Sequence, residues 1–370
     1  MINAQLEIIL IACITAICCS IPGVLLVLRR MTLLGDAISH SVLLGIIIGF
    51  FIVNTIDSPI LVLSAGIVGL LTVVLVEILA GTKLIKIDAA IGVIYPFLFS
   101  VAVILISLFS VQVHVDTDAV LMGELAFAPL NRLEINGVDY GAMSAYQIGG
   151  VMLLNIILCF IFYKELKLAI FDPNYAATSG FKPKTVLYGM MLMVSITVVV
   201  AFEVAGSIMV VALLVGPAIM ASYFTKRLWA MFFLAPIAGV IATLLGYWAS
   251  HLLTVSIAGS ITTTIGLLFM FIFIFAPKTG MIAKAYQRHT MRAEFSVNML
   301  LVHLWQHEVI GDAREENMKG TISTHFNWNG EFTELVLNSA IVRGFLQVSD
   351  DNTVQLLPEG REQACRAMEG

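Results

Sequence analysis

LLGDAISHSVLLGIIIGFFIV, residues 33–53, is as long as a helix needs to be to cross membrane hydrocarbon, which takes about 20 mostly apolar residues. It carries two ionisable side chains, Asp36 and His40. Such groups are costly inside a membrane and face a cavity, a partner or a transport pathway. Four residues apart on a helix, they lie on one face, one turn apart. A carboxylate oxygen and an imidazole nitrogen together suit borderline divalent ions such as manganese, iron and zinc. Three other readings fit the same residues: an acidic group in a first turn offsetting the helix dipole, a satisfied core histidine, or a proton relay.

Eight further apolar runs flank this one: Leu6–Leu28, Pro59–Leu79, Ala89–Phe109, Gln147–Tyr163, Val186–Phe202, Gly206–Phe224, Trp229–Leu252 and Ile257–Phe275. The stretch Ala119–Leu130 reads as a further re-entrant piece, and the expected count is eight or nine spans. Over the whole 370 residues, 59% are hydrophobic and 12% charged. A soluble chain carries about 25% charged residues, so this one could not cover its surface in water. The first run follows a start without positive charge and is not closed by an A-x-A-like site, so it reads as a retained helix. Cys13, Cys18, Cys19 and Cys159 sit inside apolar runs and Cys365 is alone in the tail. That pattern excludes a disulfide framework or a CxxC zinc site.

Charge orients the bundle. With the N-terminus outside, the inner loops receive Arg29, Arg30, Lys83, Lys86, Lys164, Lys167, Lys182, Lys184, Lys226, Arg227, Lys278 and Lys284, and the outer loops only Arg132. The opposite orientation breaks the positive-inside rule. The tail is then cytoplasmic. The Ser110–Tyr146 connection then faces outward with Asp116, Asp118, Glu124, Glu134 and Asp139, which reads either as an acidic mouth that attracts cations or as an ordinary solvated loop.

Four ordered motifs are similar to those of one family. Leu33–Leu44, with its D-A-I-S-H-S core, resembles the signature of the membrane permeases of metal-ion ABC importers, which take up zinc, manganese and iron. VDTDAVLMGEL (Val115–Leu125) resembles their outer-loop motif, KELKLAIFDPNYAATSGF (Lys164–Phe181) their cytoplasmic loop, and FEVAGSIMVVALLVGPAIMA (Phe202–Ala221) their paired-helix segment. The resemblance covers about residues 5–280. It implies an all-α polytopic bundle of the type II ABC importer kind, working as a pair of permeases, either two copies or a copy and a paralogue. Two separate ATPase subunits would drive it, and an extracytoplasmic metal-binding protein would deliver the ion across a bacterial cytoplasmic membrane. By position, Asp36 and His40 match pathway ligands, and Asp116, Asp118 and Glu124 match an entry or docking motif. The metal is cargo, and no permanently bound cofactor is implied.

Phe171-Asp172-Pro173 starts a short helix, with Asp172 as N-cap and Pro173 at the first position. Tyr175, Ala176, Ala177 and Gly180 would present a small-residue surface, which the resemblance assigns to coupling with a groove on the ATPase. No G-x-x-x-x-G-K-[ST] phosphate loop is present, and no H-E-x-x-H or G-x-S-x-G constellation, so the chain reads as a transport subunit and not an enzyme. Gly216-Pro217 reads as a helix break or kink. Glu203 lies at the outer junction of two spans, where a helix-start role competes with a functional one. Met31, Met122, Met209 and Met220 read as packing side chains that could also offer soft contacts.

The family's chains ordinarily stop near the last span, so domains are expected over residues 1–284 and 285–370. In the tail, Ala293–Glu308 and Glu331–Gly344 read as helices. Gly344–Met368 reads as strand, turn at Asp351-Asn352, strand and helix starting near Pro358, which resembles the wing region of winged-helix domains. The tail holds 12 acidic and 7 basic residues, against the basic face that DNA binding needs, so no nucleic-acid partner is expected. A metal sensor built on His303, His307 and either Glu308 or His325 is an alternative to a protein-contact module. For the whole chain the alternatives are an ion-gradient-driven secondary transporter, which inverted repeats would favour, and a membrane-tethered metal-responsive regulator.

Overall fold

A computed structural model describes residues 4–53, 58–109, 125–135, 138–277, 279–310, 317–349 and 352–369. The chain divides into two compact units, Met1–Ala276 and Pro277–Gly370.

The first unit runs α1 (Ala4–Leu28), α2 (Thr32–Val53), α3 (Pro59–Gly81) and α4 (Ile87–Phe109), then a 3-10 turn at Ala128–Leu130. A hairpin follows, β1 (Arg132–Ile135) and β2 (Val138–Ala142), leading into α5 (Met143–Ile161) and the short helices α6 (Tyr163–Phe171) and α7 (Pro173–Thr178). Four more long helices complete it: α8 (Pro183–Ala205), α9 (Ser207–Phe224), α10 (Leu228–Leu253) and α11 (Ile257–Phe275). Among the described residues, nine helices are long and apolar enough to span a membrane. They are the nine runs of the hydropathy pattern. In lipid every backbone group must be satisfied within the segment, which leaves the helix as the form such runs adopt.

Burial separates centre from periphery. In α1 and α8, 67% of the apolar window is enclosed, against 22% in α4 and α5 and 17% in α11. The last three keep broad apolar faces for lipid or another subunit. α1 packs against α5, α8, α9 and α10, while α2 packs against α3 and α4.

Between membrane helices lipid removes the hydrophobic incentive, so small residues and buried hydrogen bonds hold them together. A Cβ on Gly45 of α2 would lie 2.6 Å from the Ala65 Cα and the Ser64 carbonyl oxygen of α3. Only glycine lets these two backbones approach so closely. Asn155 of α5, fully buried, donates to the Cys18 carbonyl of α1 at 3.3 Å and to the Thr197 hydroxyl of α8 at 2.8 Å, tying three helices at one point.

Pro217 does not break its helix: α9 runs unbroken from Ser207 to Phe224. Gly216 instead makes room for α11, since a Cβ there would lie 2.3 Å from Ile265 Cγ2. α8 and α9 are joined by one residue, Gly206, at φ +76° and ψ 161°, a backbone region that is essentially glycine-only.

The second unit contains α12 (Met281–Ile310), α13 (Lys319–His325), α14 (Gly330–Val342), the antiparallel pair β3 (Leu346–Val348) and β4 (Val354–Leu356), and α15 (Pro358–Glu369). Met318 adds an isolated bridge to Thr353. Val297, Leu300, Leu301 and Leu304 recur at helical spacing along α12. They form a small core with Ile322, Val336, Leu337, Ala340, Leu346, Val354, Leu356 and Ala364. α12 begins well before Ala293, and a boundary after residue 284 would cut its first turn. Gly344, at φ +73°, closes α14: its N–H reaches the Ile341 carbonyl and that of Phe345 the Ala340 carbonyl, the paired bonds of a Schellman cap.

Candidate functional site

Asp36 and His40 lie in the second and third turns of α2, past the first turn where a carboxylate would serve the helix dipole. His40 Nε2 stands 3.6 Å from Asp36 Oδ1, too long for a hydrogen bond, so the two are adjacent but not locked together. Their neighbours Ala37, Ile38, Ser39 and Ser41 are buried, whereas the His40 and Asp36 side chains are 37% and 44% exposed. Both therefore point out of this unit, along an otherwise apolar helix.

α4 supplies the wall beside them. The Tyr95 ring stacks on His40 at 5.8 Å, and Phe99 meets it edge-on at 6.0 Å. Behind the site, Ser39 donates to the Gly35 and Asp36 carbonyls, both at 2.9 Å. Ser41 donates to the Ile38 carbonyl at 3.1 Å. These serines serve the backbone, and being buried they do not face outward with Asp36 and His40. Two donors do not close a coordination shell. Among the described residues no group of three or more His, Cys, Asp or Glu is arranged to hold a metal ion.

Asp116, Asp118 and Glu124 lie outside the described residues, as do Met122 and the first half of the Ala119–Leu130 stretch. Of the acidic side chains of the Ser110–Tyr146 connection, that of Asp139 is described. Arg132 Nε bonds its Oδ2 at 2.6 Å, and the same guanidinium reaches both carboxylate oxygens of Glu7 on α1 at 3.2 and 3.3 Å. The Gly141 backbone N–H, foremost, and the Arg132 guanidinium hold the Asp139 carboxyl below its ordinary pKa. Glu203 is exposed in the last turn of α8. It starts no helix and sits at the end where the dipole disfavours an acid. Met31, Met209 and Met220 are buried in the core.

The short helix α7 begins as its sequence dictates. Asp172 is the N-cap, accepting from the Tyr175 N–H at 2.9 Å, with Pro173 at the first position. Tyr175 and Ala177 are exposed, but Ala176 is not part of that surface: it is 1% exposed. Gly180, at φ +86°, forms the cap: its N–H reaches Ala177 and that of Phe181 reaches Ala176. Its role is to end the helix.

One intramembrane carboxylate escaped the sequence reading. Glu77 of α3 accepts from the Tyr188 hydroxyl of α8 at 2.7 Å. A lone acid in an apolar run was its signal; its partner, 111 residues on, had none.

The sequence profile of the ABC 3 transport family matches residues 1–276. The chain belongs to that family. Among its relatives, the zinc transport system membrane protein TroD of Treponema pallidum is 37% identical over 342 residues, 92% of this chain and 93% of that one. The manganese transport system membrane protein MntD of Bacillus subtilis is 38% identical over 281 residues, 76% of this chain and 95% of that one. Of solved structures, PsaBC from Streptococcus pneumoniae in complex with Fab superposes with a TM-score of 0.62 at 27% identity, covering 75% of this chain and 94% of that one. The TroD match is too long to fit within the family's 276 residues, so it takes in part of the second unit.

Proposed function

We propose that the chain is the membrane-spanning subunit of an ATP-driven importer of a divalent transition-metal ion, manganese foremost, with iron and zinc as the other candidates. The observation that carries this is the Asp36–His40 pair, turned out of the unit on an apolar helix beside Tyr95 and Phe99. Oxygen and nitrogen donors of this kind suit such ions. Being incomplete among the described residues, the pair is suited to a pathway between two permeases, a second copy or a paralogue, where an ion is held briefly and released.

The family supports the partners: two ATPase subunits on the cytoplasmic side, engaging α7, and an extracytoplasmic metal-binding protein on the other. Asp116, Asp118 and Glu124 belong to the mouth that receives the ion. The N-terminus lies outside and the second unit in the cytoplasm, in line with the placement of basic residues. That unit, with three helices followed by a β-pair, is winged-helix-like and serves protein contact.

The test is uptake of radiolabelled manganese, iron and zinc into proteoliposomes holding the chain with its ATPase and binding protein, with and without ATP. Asp36→Ala and His40→Ala are run beside it, each first shown to assemble and hydrolyse ATP. ATP-dependent uptake of one metal, lost in both variants, is the expected result. Uptake that ignores ATP and follows an imposed proton gradient would overturn the importer in favour of a secondary transporter. Undiminished uptake in both variants would remove the site assignment.

A further inference from the structure

The second unit gathers three histidines that the transport reading does not use. His303 and His307 are one turn apart on α12, with ring centroids 4.5 Å apart, and His325, the last residue of α13, brings its ring to 5.4 Å from His303. The first two form an H-x-x-x-H pair, the spacing by which one helix face presents two imidazoles to a metal. The third comes from a different element.

Three further observations point to a ligand. Nδ1 of His307 is buried and has no hydrogen-bond partner, and a buried polar atom left that way calls for an ion or a water. Phe326 meets His303 edge-on at 5.1 Å and stacks on Trp328, giving the cluster an apolar wall. Glu308, the carboxylate next in sequence, is taken by Arg361 of α15 through two N–H groups, so the imidazoles are left as the donors.

Imidazoles bound at about 2.0–2.1 Å to one tetrahedral ion have ring centroids roughly 5 Å apart, and the two separations here lie on either side of that value. The rings do not yet form a finished centre, since no three ligand side chains among the described residues stand arranged for a metal. The adjustment falls on His325, which is exposed at a helix end.

We propose that His303, His307 and His325 bind one late first-row divalent ion of the zinc, cobalt or nickel class, and that the ion staples α13 to α12. Three neutral imidazoles favour these ions over manganese, magnesium or calcium, which prefer oxygen. The seven-residue α13 has no side-chain cap at its start, so a metal joining its last residue to α12 sets how firmly it is held. The unit then responds to a late first-row divalent ion, zinc being the one shared with the candidate cargoes, and this holds whether or not Asp36 and His40 line the pathway.

The experiment titrates Co2+ into the full-length chain in detergent micelles, purified on a histidine-free tag and carrying Asp36→Ala and His40→Ala to silence the membrane pair. Ligand-field absorption reads nitrogen coordination, Zn2+ competition reads affinity, and hydrogen exchange over residues 319–325 reads the staple. One Co2+ per chain is expected, with slowed exchange in α13. Affinity should fall by more than about tenfold in His307→Ala and in His325→Ala, the scale on which metal sites respond even to outer-shell changes. His325→Gln, with an unchanged metal-free melting temperature, separates ligand loss from misfolding. Affinity that ignores both His325 variants would reduce the site to a two-histidine chelate and overturn the proposal, as would no binding by a folded parent.

Discussion

The hydroxyl of Thr72 on α3 donates to that of Ser41 on α2 at 2.7 Å, one position along from His40. Ser41 in turn donates to the Ile38 carbonyl, so the relay fixes the rotation of α2 at the level where Asp36 and His40 emerge. Thr72→Val keeps the shape and removes the donor. Its cost to stability is about 0.6 kcal/mol, the average for hydrogen bonds between membrane helices. Its effect on half-saturating metal concentration in the uptake assay should exceed what that small loss implies. An unchanged concentration would show that Ser41 alone positions the turn.

Gly45→Ala drives a methyl into the α3 backbone at 2.6 Å, where no side chain can move aside. Overpacking of this kind costs on the order of 1–3 kcal/mol. Gly149→Ala on α5 meets nothing within 4 Å and gains helix propensity of up to about 1 kcal/mol. Thermal melting in detergent should separate the two clearly, with Gly45→Ala melting lower and Gly149→Ala unchanged or higher. Equal melting would mean that α2 and α3 are not held at this approach.

The Asp139 carboxyl, held below its ordinary value of 3.8 by the Gly141 N–H and then by Arg132, stabilises the hairpin above that value. The contribution is lost as pH falls through the lowered folded pKa. Arg132→Gln removes part of the depression and leaves Glu7 without its guanidinium. The variant should therefore melt below the parent at neutral pH, with the gap narrowing once pH drops under 3.8. A gap of constant size across that range would assign the loss to packing.

Gly180 caps α7 at φ +86°, which asparagine tolerates and alanine resists. Gly180→Ala should weaken stimulation of ATP hydrolysis by delivered metal several-fold while Gly180→Asn preserves it. Equal behaviour of the two would detach α7 from coupling.

The spans were legible because lipid forces each apolar run to satisfy its own backbone, and α7 because Asp172 and Pro173 state its start locally. Asp36 and His40 were legible as a pair because helical spacing alone joins them. Their setting was not. Tyr95 and Phe99 reach His40 from α4, and nothing in an apolar run says which neighbour it faces. The Glu7–Arg132 contact spans 125 residues, beyond any periodic signal. The start of α12 was hidden because Met281–Ala283 are apolar and only five residues separate them from the last span, so they do not stand out from it. Ala176 read as surface because it belongs to the run of small residues after Pro173; only packing reveals which way one alanine turns.

Gly206 is all that separates α8 from α9, and it leaves no spare chain between them. Two long rods hinged on a single residue transmit displacement without backlash. A displacement of the last turn of α8 carries the first turn of α9 with it, because no loop is there to absorb it. Lengthening this joint by a few flexible residues would leave every helix intact and the linkage slack, as a gear train turns freely once one tooth is filed away.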